Sequence, residues 1–187
     1  MVLSMYLAKI QSTSEEPPQE TGLVYNSWFG RPHLEMTWWH LMHFAYWNKG
    51  EYLEKVLPWY ERNFKEAKAL AQRQGLKGVR WQKMTDPDGG ESPSSVGSFL
   101  LWQQPHIIVM LHELSKRKPA SFQYKYHYLV EETAVAMEDL LSWDSLRNVY
   151  RLGPGFIPAQ ESLPFATTYN APLELAYWYK GLRIAQE

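Results

Sequence analysis

The sequence contains no cysteine, which excludes a disulfide framework and thiolate metal sites and leaves the redox compartment open. Neither charge is in excess. There are 19 basic and 20 acidic side chains, a formal net charge of −1, so the sequence predicts no nucleic-acid partner and no charged interaction tail. No apolar run approaches the ~20 residues that cross a bilayer. The opening stretch MVLSMYLAKI is apolar but brief, without a basic start, a long apolar stretch or a small-residue cleavage site. It predicts no signal peptide and a soluble chain with no membrane partner, in a compartment the sequence leaves unknown. Also missing are Gly-x-Ser-x-Gly, phosphate-cradling glycine loops and His-Glu-x-x-His. His40 and His43 stand three apart, with His33 and Glu35 upstream, and fit no metal-binding pattern. Neither a metal nor a cofactor is expected.

What the chain does have is aromatic mass. Its 187 residues are 45% hydrophobic and 21% charged, within the range of one soluble domain with a real core. Aromatics reach 15%, with 9 Trp and 12 Tyr. Core packing absorbs most of these. The remainder suit flat surfaces on which a sugar ring can stack.

Five segments have helical periodicity. The first, Leu34–Asn48, is apolar nearly all round, which predicts burial on most sides. The second, Glu51–Gln74, carries one apolar stripe from Tyr52 to Leu70, with Pro58 as a kink or true start and Gly75 as a stop. The third, Val96–Lys116, is again apolar throughout, with a bend at Pro105. The fourth, Tyr124–Trp143, is amphipathic. The fifth, Ala171–Gln186, has Asn170 as its expected N-cap and Pro172 in its first turn. A short helical fragment, Met1–Gln11, precedes them.

Order matters here. All-round apolar helices alternate with amphipathic ones, and long Gly/Pro-rich connectors (Gln11–His33, Leu76–Ser95, Asp144–Tyr169) lead into helices one, three and five. Loops longer than ~12–15 residues are uncommon without a function. A concentric array of helical hairpins accounts for the alternation, with inner helices covered on both sides and long loops gathered at one rim. An irregular bundle or a helical solenoid are the alternatives, although no 34- or 40-residue repeat supports the latter. The expected fold is therefore all-α: alternating inner and outer helical hairpins forming a partial (α/α)6 toroid. Residues 1–187 form one domain, about half of a six-hairpin barrel, ending at Glu187 where an outer helix is expected to follow.

The segments YLAKIQ, PPQETGLVYNSWFGRPHLEMTWWHLMHFAYW, LPWYER, GVRWQKMTDPDGGESPSS, LLWQQPHIIVMLHEL, LGPGFIPAQE and NAPLELAYWYKGLRIAQ are similar, in that order, to six-hairpin glycosidase-like proteins. That group is related to the family 65 glycoside hydrolases and phosphorylases and to the inverting α-fucosidases. The resemblance covers nearly the whole chain. It implies an (α/α)6 barrel, a carbohydrate ligand and, in intact relatives, inverting general acid/base cleavage. Relatives carry a β-sandwich and further barrel helices, so this chain resembles a fragment. Two departures stand out. Pro32 precedes His33 where relatives favour Lys and an aromatic, and Ala171-Pro172-Leu173 replaces their Asn-Pro-Thr-Phe.

Inverting cleavage needs a carboxylic acid for the leaving oxygen and a second group to activate water, with carboxyls roughly 6.5–9.5 Å apart. Glu161, in the Gly/Pro-structured loop GPGFIPAQE, is the candidate acid. Relatives place an acid Glu in a comparable loop, and Phe156, Ile157, Leu163 and Phe165 are near enough in sequence to wall it. A loop glutamate is otherwise commonly idle and exposed. Trp28, Arg31, His33 and Glu35 bring an aromatic, a cation and a carboxylate to the start of helix one, which suits sugar binding. Glu35 there is equally favourable as a negative charge at a helix N-terminus. Trp81, Lys83 and Glu91 flank the turn signal Asp86-Pro-Asp-Gly-Gly, and Gln104, His106 and Asn170 complete the expected binding set. Three functional classes remain open: an inverting glycoside hydrolase-like domain, a carbohydrate-binding pseudo-enzyme, and an inactive remnant that self-associates through open barrel edges.

Overall fold

Pro105 and the run HIIVMLHEL together determine the centre of the molecule. A proline is tolerated where a helix begins because the first N–H groups have no intrahelical partner. Helix α6 (His106–Ser115) starts directly after it, and every residue from His106 to Leu111 is buried, as is Leu114. The structure is a computed structural model that describes residues 1–22 and 24–187. It is mostly helical, with one small two-stranded sheet. In chain order come α1 (Val2–Ser12), a single 3-10 turn (Trp28–Gly30), α2 (Leu34–Tyr46), α3 (Gly50–Glu54), α4 (Leu57–Arg62), α5 (Phe64–Arg73) and α6. These are followed by α7 (Ala120–Asp139), β1 (Leu141–Asp144), β2 (Val149–Leu152) and α8 (Pro172–Ala185). Helix α6 packs on α2, α3, α7 and α8.

Helix α2 presents Leu34, Leu41, Met42, Phe44 and Ala45 to this centre. It is not buried all round as its composition predicts, because Trp39 and Tyr46 remain exposed on its other face. The expected second helix is three short ones. Pro58 lies in the first turn of α4 and marks its start, and Gly75, with φ +75°, ends the series after α5. The large buried side chains Trp59, Tyr60, Phe44, Phe156 and Trp178 join one apolar core. Each contributes about 1.5–3 kcal/mol by leaving water.

Two expected helix boundaries are corrected. The third helix starts at His106, not Val96, because turns, a bridge from the Ile157 N–H to the Phe99 carbonyl and side-chain donors to the Ser98 and Leu100 carbonyls replace a helix over residues 96–104. Arg80, almost fully buried, donates to the carbonyls of Leu100 (2.7 Å) and Trp81 (2.6 Å). Gln103 Nε2 donates to the same two carbonyls at 2.8 and 3.0 Å. Burial pushes the guanidinium down to about 10, partly opposed by the charge of Glu91, so it remains a cation at neutral pH.

The fourth helix stops at Asp139, and the stretch expected to finish it turns into a hairpin. Leu141 pairs with Leu152 and Asp144 with Val149. Asp144 Oδ1 accepts the N–H groups of Leu146 and Arg147, closing the turn. Trp143 meets Tyr150 edge-on across the strands, the type of cross-strand pair that stabilises a short ribbon. Asn170 is not the N-cap of α8, since Ala171 holds that position. Asn170 instead clamps the hairpin, accepting from the Leu152 N–H and donating to its carbonyl, both at 2.9 Å.

No described helix is long and apolar enough to cross a membrane.

Candidate functional site

The first turn of α2 carries the centre of the site. Glu35 is buried with both carboxylate oxygens engaged. Its Oε1 accepts from the Trp102 indole N–H at 3.0 Å, and its Oε2 lies 3.1 Å from His33 Nε2 and 3.3 Å from Lys83 Nζ. Burial alone would raise this carboxyl. The His33 hydrogen bond, the Lys83 charge and the Trp102 donor outweigh it and hold Glu35 below the usual carboxylate range.

Lys83 arrives from the connector between α5 and α6. Its own backbone carbonyl accepts the Glu35 N–H at 3.1 Å, and the Thr85 N–H donates to the Pro32 carbonyl at 3.0 Å, so the two segments are laced together. The ammonium bridges Glu35 and Glu161, and it lies 5.7 Å from the ring centre of Trp28. Burial opposes the charged form of this lysine, but its hydrogen bonds and charge pairing with Glu161 and Glu35 raise it above its ordinary value. The lysine is a permanent cation here, in a place where only two carboxylates and an aromatic face can hold one.

Glu161 and Trp28 both sit on turns in the left-handed region. Glu161 has φ +57°, in a turn closed by its own N–H on the Pro158 carbonyl at 2.8 Å. Trp28 and Phe29 have φ +46° and +60° and are followed by Gly30 at +71°. Non-glycine residues there cost about 1–2 kcal/mol each, and such strain clusters at ligand sites. The Trp28 indole N–H is anchored on Glu20. The faces of Trp28 and Trp39 stay open to solvent, and Trp39 lies 6.4 Å from Trp102.

Of the residues singled out in the sequence, the structure brings together Trp28, His33, Glu35, Lys83 and Glu161, with His106 directly beneath. His106 Nε2 donates to the Glu35 carbonyl at 3.0 Å, so its Nδ1 accepts from the Tyr177 hydroxyl, also at 3.0 Å. Arg31 follows the Trp28 turn but pairs with no carboxylate among the described residues.

The others lie elsewhere. Trp81 is a core residue, its ring edge-on to Tyr60 and its N–H donated to Thr133 Oγ1 at 2.9 Å. Gln104 is fully buried and holds the Trp81 N–H and the Val79 carbonyl. Glu91 is exposed and accepts from Ser98 Oγ. Asp86 does turn duty, accepting the Asp88 and Gly90 N–H groups. Asn170 belongs to the hairpin clamp. Of the residues expected to wall Glu161, Phe156 joins the main core, Ile157 packs with Leu100 and Trp102, and Leu163 and Phe165 are exposed.

Trp102, Tyr177 and Glu174 take part without having been singled out as site residues. Glu174 is a buried carboxylate in the first turn of α8 that accepts the Ala159 N–H at 2.7 Å and so steadies the Glu161 loop. Their local sequence offers no sign of this, since all three act across long separations. Glu161 and Trp28 are exposed at the edge of the cluster, whereas His33, Glu35 and Lys83 are buried. A larger recess of about 750 Å³, lined by Leu111, Phe122, Tyr126, Val130 and Ile184, lies between α6, α7 and the end of α8 and includes none of the cluster residues. No group of three His, Cys, Asp or Glu among the described residues is arranged to hold a metal ion.

The core assignment of Trp81 has a direct consequence. Thr133→Val leaves a buried indole N–H without an acceptor at nearly constant volume. A loss of about 1–2 kcal/mol in urea unfolding is expected. No loss would place the indole donor on some other acceptor.

Comparison with models of known protein families and with curated proteins finds no match to this sequence.

Proposed function

We propose that this chain is a glycoside hydrolase-like domain, a portion of a six-hairpin (α/α)6 array, and that the Glu35–Lys83–Glu161 cluster with Trp28 and Trp39 binds carbohydrate. One observation carries the reading. Side chains from two long connectors, Trp28 and Glu161, and from one helix start, Glu35, converge on a single ammonium, that of Lys83 on a third connector. Sugar recognition requires this combination of fixed polar groups beside exposed aromatic faces. The toroidal part of the proposal draws support from burial. Helix α6 is covered on both sides, whereas α2 and α8 each keep exposed aromatics, Trp39 and Tyr46 on one and Tyr179 on the other. Flanking helices of a larger array, or a second copy of the chain, would cover such faces.

The geometry favours binding over cleavage in this conformation. An inverting pair needs room for a water between its carboxyl groups. Here the Lys83 ammonium bridges Glu35 and Glu161, and Glu161 is posed as a hydrogen-bond acceptor. Hydrolysis by Glu161 as the acid is the second reading. It requires Glu161 to leave Lys83, and the exposure of its loop favours that movement.

Calorimetry against a panel of neutral oligosaccharides, with reducing-sugar release measured in parallel, tests both readings. Binding is expected, and Trp28→Ala is expected to weaken it about tenfold by removing a stacking face. Release that disappears in Glu161→Gln supports the hydrolytic reading, and binding without release supports the non-catalytic one. If no saccharide binds, the carbohydrate assignment is wrong.

A further inference from the structure

The cluster's unused hydrogen-bonding capacity indicates what kind of sugar it takes. Both oxygens of Glu35 are engaged, by Trp102 on one side and by His33 and Lys83 on the other. Lys83 is engaged as well: its side chain is 6% exposed, between two carboxylates and near the Trp28 ring. Glu161 differs. Its side chain is 36% exposed, Lys83 holds Oε1, and no described residue donates to Oε2. A second unmet atom lies deeper, because His33 is fully buried and its Nδ1 has no partner among the described residues.

Charge points the same way. Two carboxylates, Glu35 and Glu161, share the one ammonium of Lys83. Glu20, on the Trp28 N–H, adds another carboxylate at the edge of the same aromatic. No Arg, and no Lys other than Lys83, lies within 4 Å of Glu35 or Glu161 among the described residues, and Arg31 pairs with neither. A ligand here therefore meets a free carboxylate oxygen and the exposed part of Trp28, with the nearby cation, which lies over the Trp28 ring, already committed. Groups that only accept hydrogen bonds, such as uronate or sulfate, find no donor at the free oxygen of Glu161 and are repelled by its charge. A group that donates and carries positive charge is matched by that carboxylate.

We infer that, within the carbohydrate-binding reading on which this rests, the site selects amino sugars: glycans whose hexosamine units carry a free ammonium, held on the free Oε2 of Glu161, on the side away from Lys83.

The experiment compares three oligosaccharides of equal length by calorimetry at pH 6 and low salt: a β-1,4-glucosamine oligomer, its N-acetylated counterpart and an oligogalacturonide. The glucosamine oligomer is expected to bind about five- to tenfold tighter than the N-acetylated form, as a charge-assisted contact predicts. The uronide should bind least. The preference should shrink as salt is raised, because a partly exposed ion pair is screened. In Glu161→Gln, with its fold checked by circular dichroism, the ratio between the two hexosamine ligands should fall to about one. Equal binding of the two by the wild-type protein, or tighter binding of the uronide, overturns the amino-sugar inference alone. If none of the three ligands binds and the neutral panel is also silent, the carbohydrate reading falls with it.

Discussion

Gly78→Ala is expected to cost about 4 kcal/mol in urea unfolding, far more than a surface glycine normally would. Two separate effects add at this position. Gly78 has φ +69°, a conformation that costs a residue with a Cβ about 1–2 kcal/mol. An added Cβ would also lie 2.2 Å from the Glu132 carbonyl oxygen and 2.7 Å from the Ala136 nitrogen. Both are backbone atoms of α7, so no side chain can move aside. The segment has to lift off the helix. That breaks the 3.0 Å bond from the Val79 N–H to the Glu132 carbonyl and pulls Trp81 away from Thr133. Gly75→Ala provides the contrast. Its φ is +75° but nothing lies within 4 Å of the added carbon, so only the conformational cost of about 1 kcal/mol is expected. Equal losses from the two substitutions would show that the backbone contact at Gly78 relaxes without consequence. The position also bears on function. The segment that Gly78 presses onto α7 continues directly to Lys83, so a lifted segment moves the ammonium on which the cluster is assembled.

Long, periodic elements were legible in the sequence. Helices α2, α7 and α8 begin within a few residues of where apolar spacing puts them, and Pro58 and Gly75 mark real boundaries. What could not be read locally is where a buried apolar run stops being helical. Residues 96–104 carry an apolar run like that of α6, but Arg80 takes the carbonyls of Ser98 and Leu100 from about twenty residues away, a competition that the local sequence does not show. The hairpin was masked by a similar ambiguity. Leu140 and Trp143 continue the apolar pattern of α7, yet Asp144 and Asn148 just beyond carry turn chemistry that was available to be read. For the site, residue type was informative and location was not. Glu35, Lys83 and Glu161 each stood out as candidates, whereas Trp81, a binding candidate beside Lys83, proved to be core. Lys83 and Glu161 are 78 residues apart, and nothing in either neighbourhood announces the other.

The chain should lose stability steeply as pH falls from 7 to 4, and His106 should be the largest single cause. Burial lowers this imidazole from its ordinary 6.5 to about 4, against the opposing influence of the Glu35 carbonyl and carboxylate. The folded state therefore keeps the ring neutral over a range in which the unfolded chain takes up a proton. Stability is fully present above about pH 6.5 and declines until the folded ring also protonates near 4, a loss of about 3 kcal/mol. The geometry agrees with the neutral ring. Its Nε2 proton is committed to the Glu35 carbonyl, and Nδ1 needs its lone pair for the Tyr177 hydroxyl, whose own proton burial makes harder to remove. A protonated Nδ1 would face that hydroxyl with no lone pair to offer. His40 and His43 are also lowered by burial and act in the same direction. Glu35 is held low while folded, so its contribution fades only below the ordinary carboxylate range. Urea unfolding of the wild-type chain and of His106→Gln, measured from pH 7 to pH 4, separates these contributions. Glutamine offers one donor and one acceptor and does not titrate. The variant should be weaker at pH 7 but should lose about 3 kcal/mol less between the two pH values. Parallel profiles would mean that His106 takes up its proton in the folded state as readily as in the unfolded one, and that its burial does not keep the ring neutral.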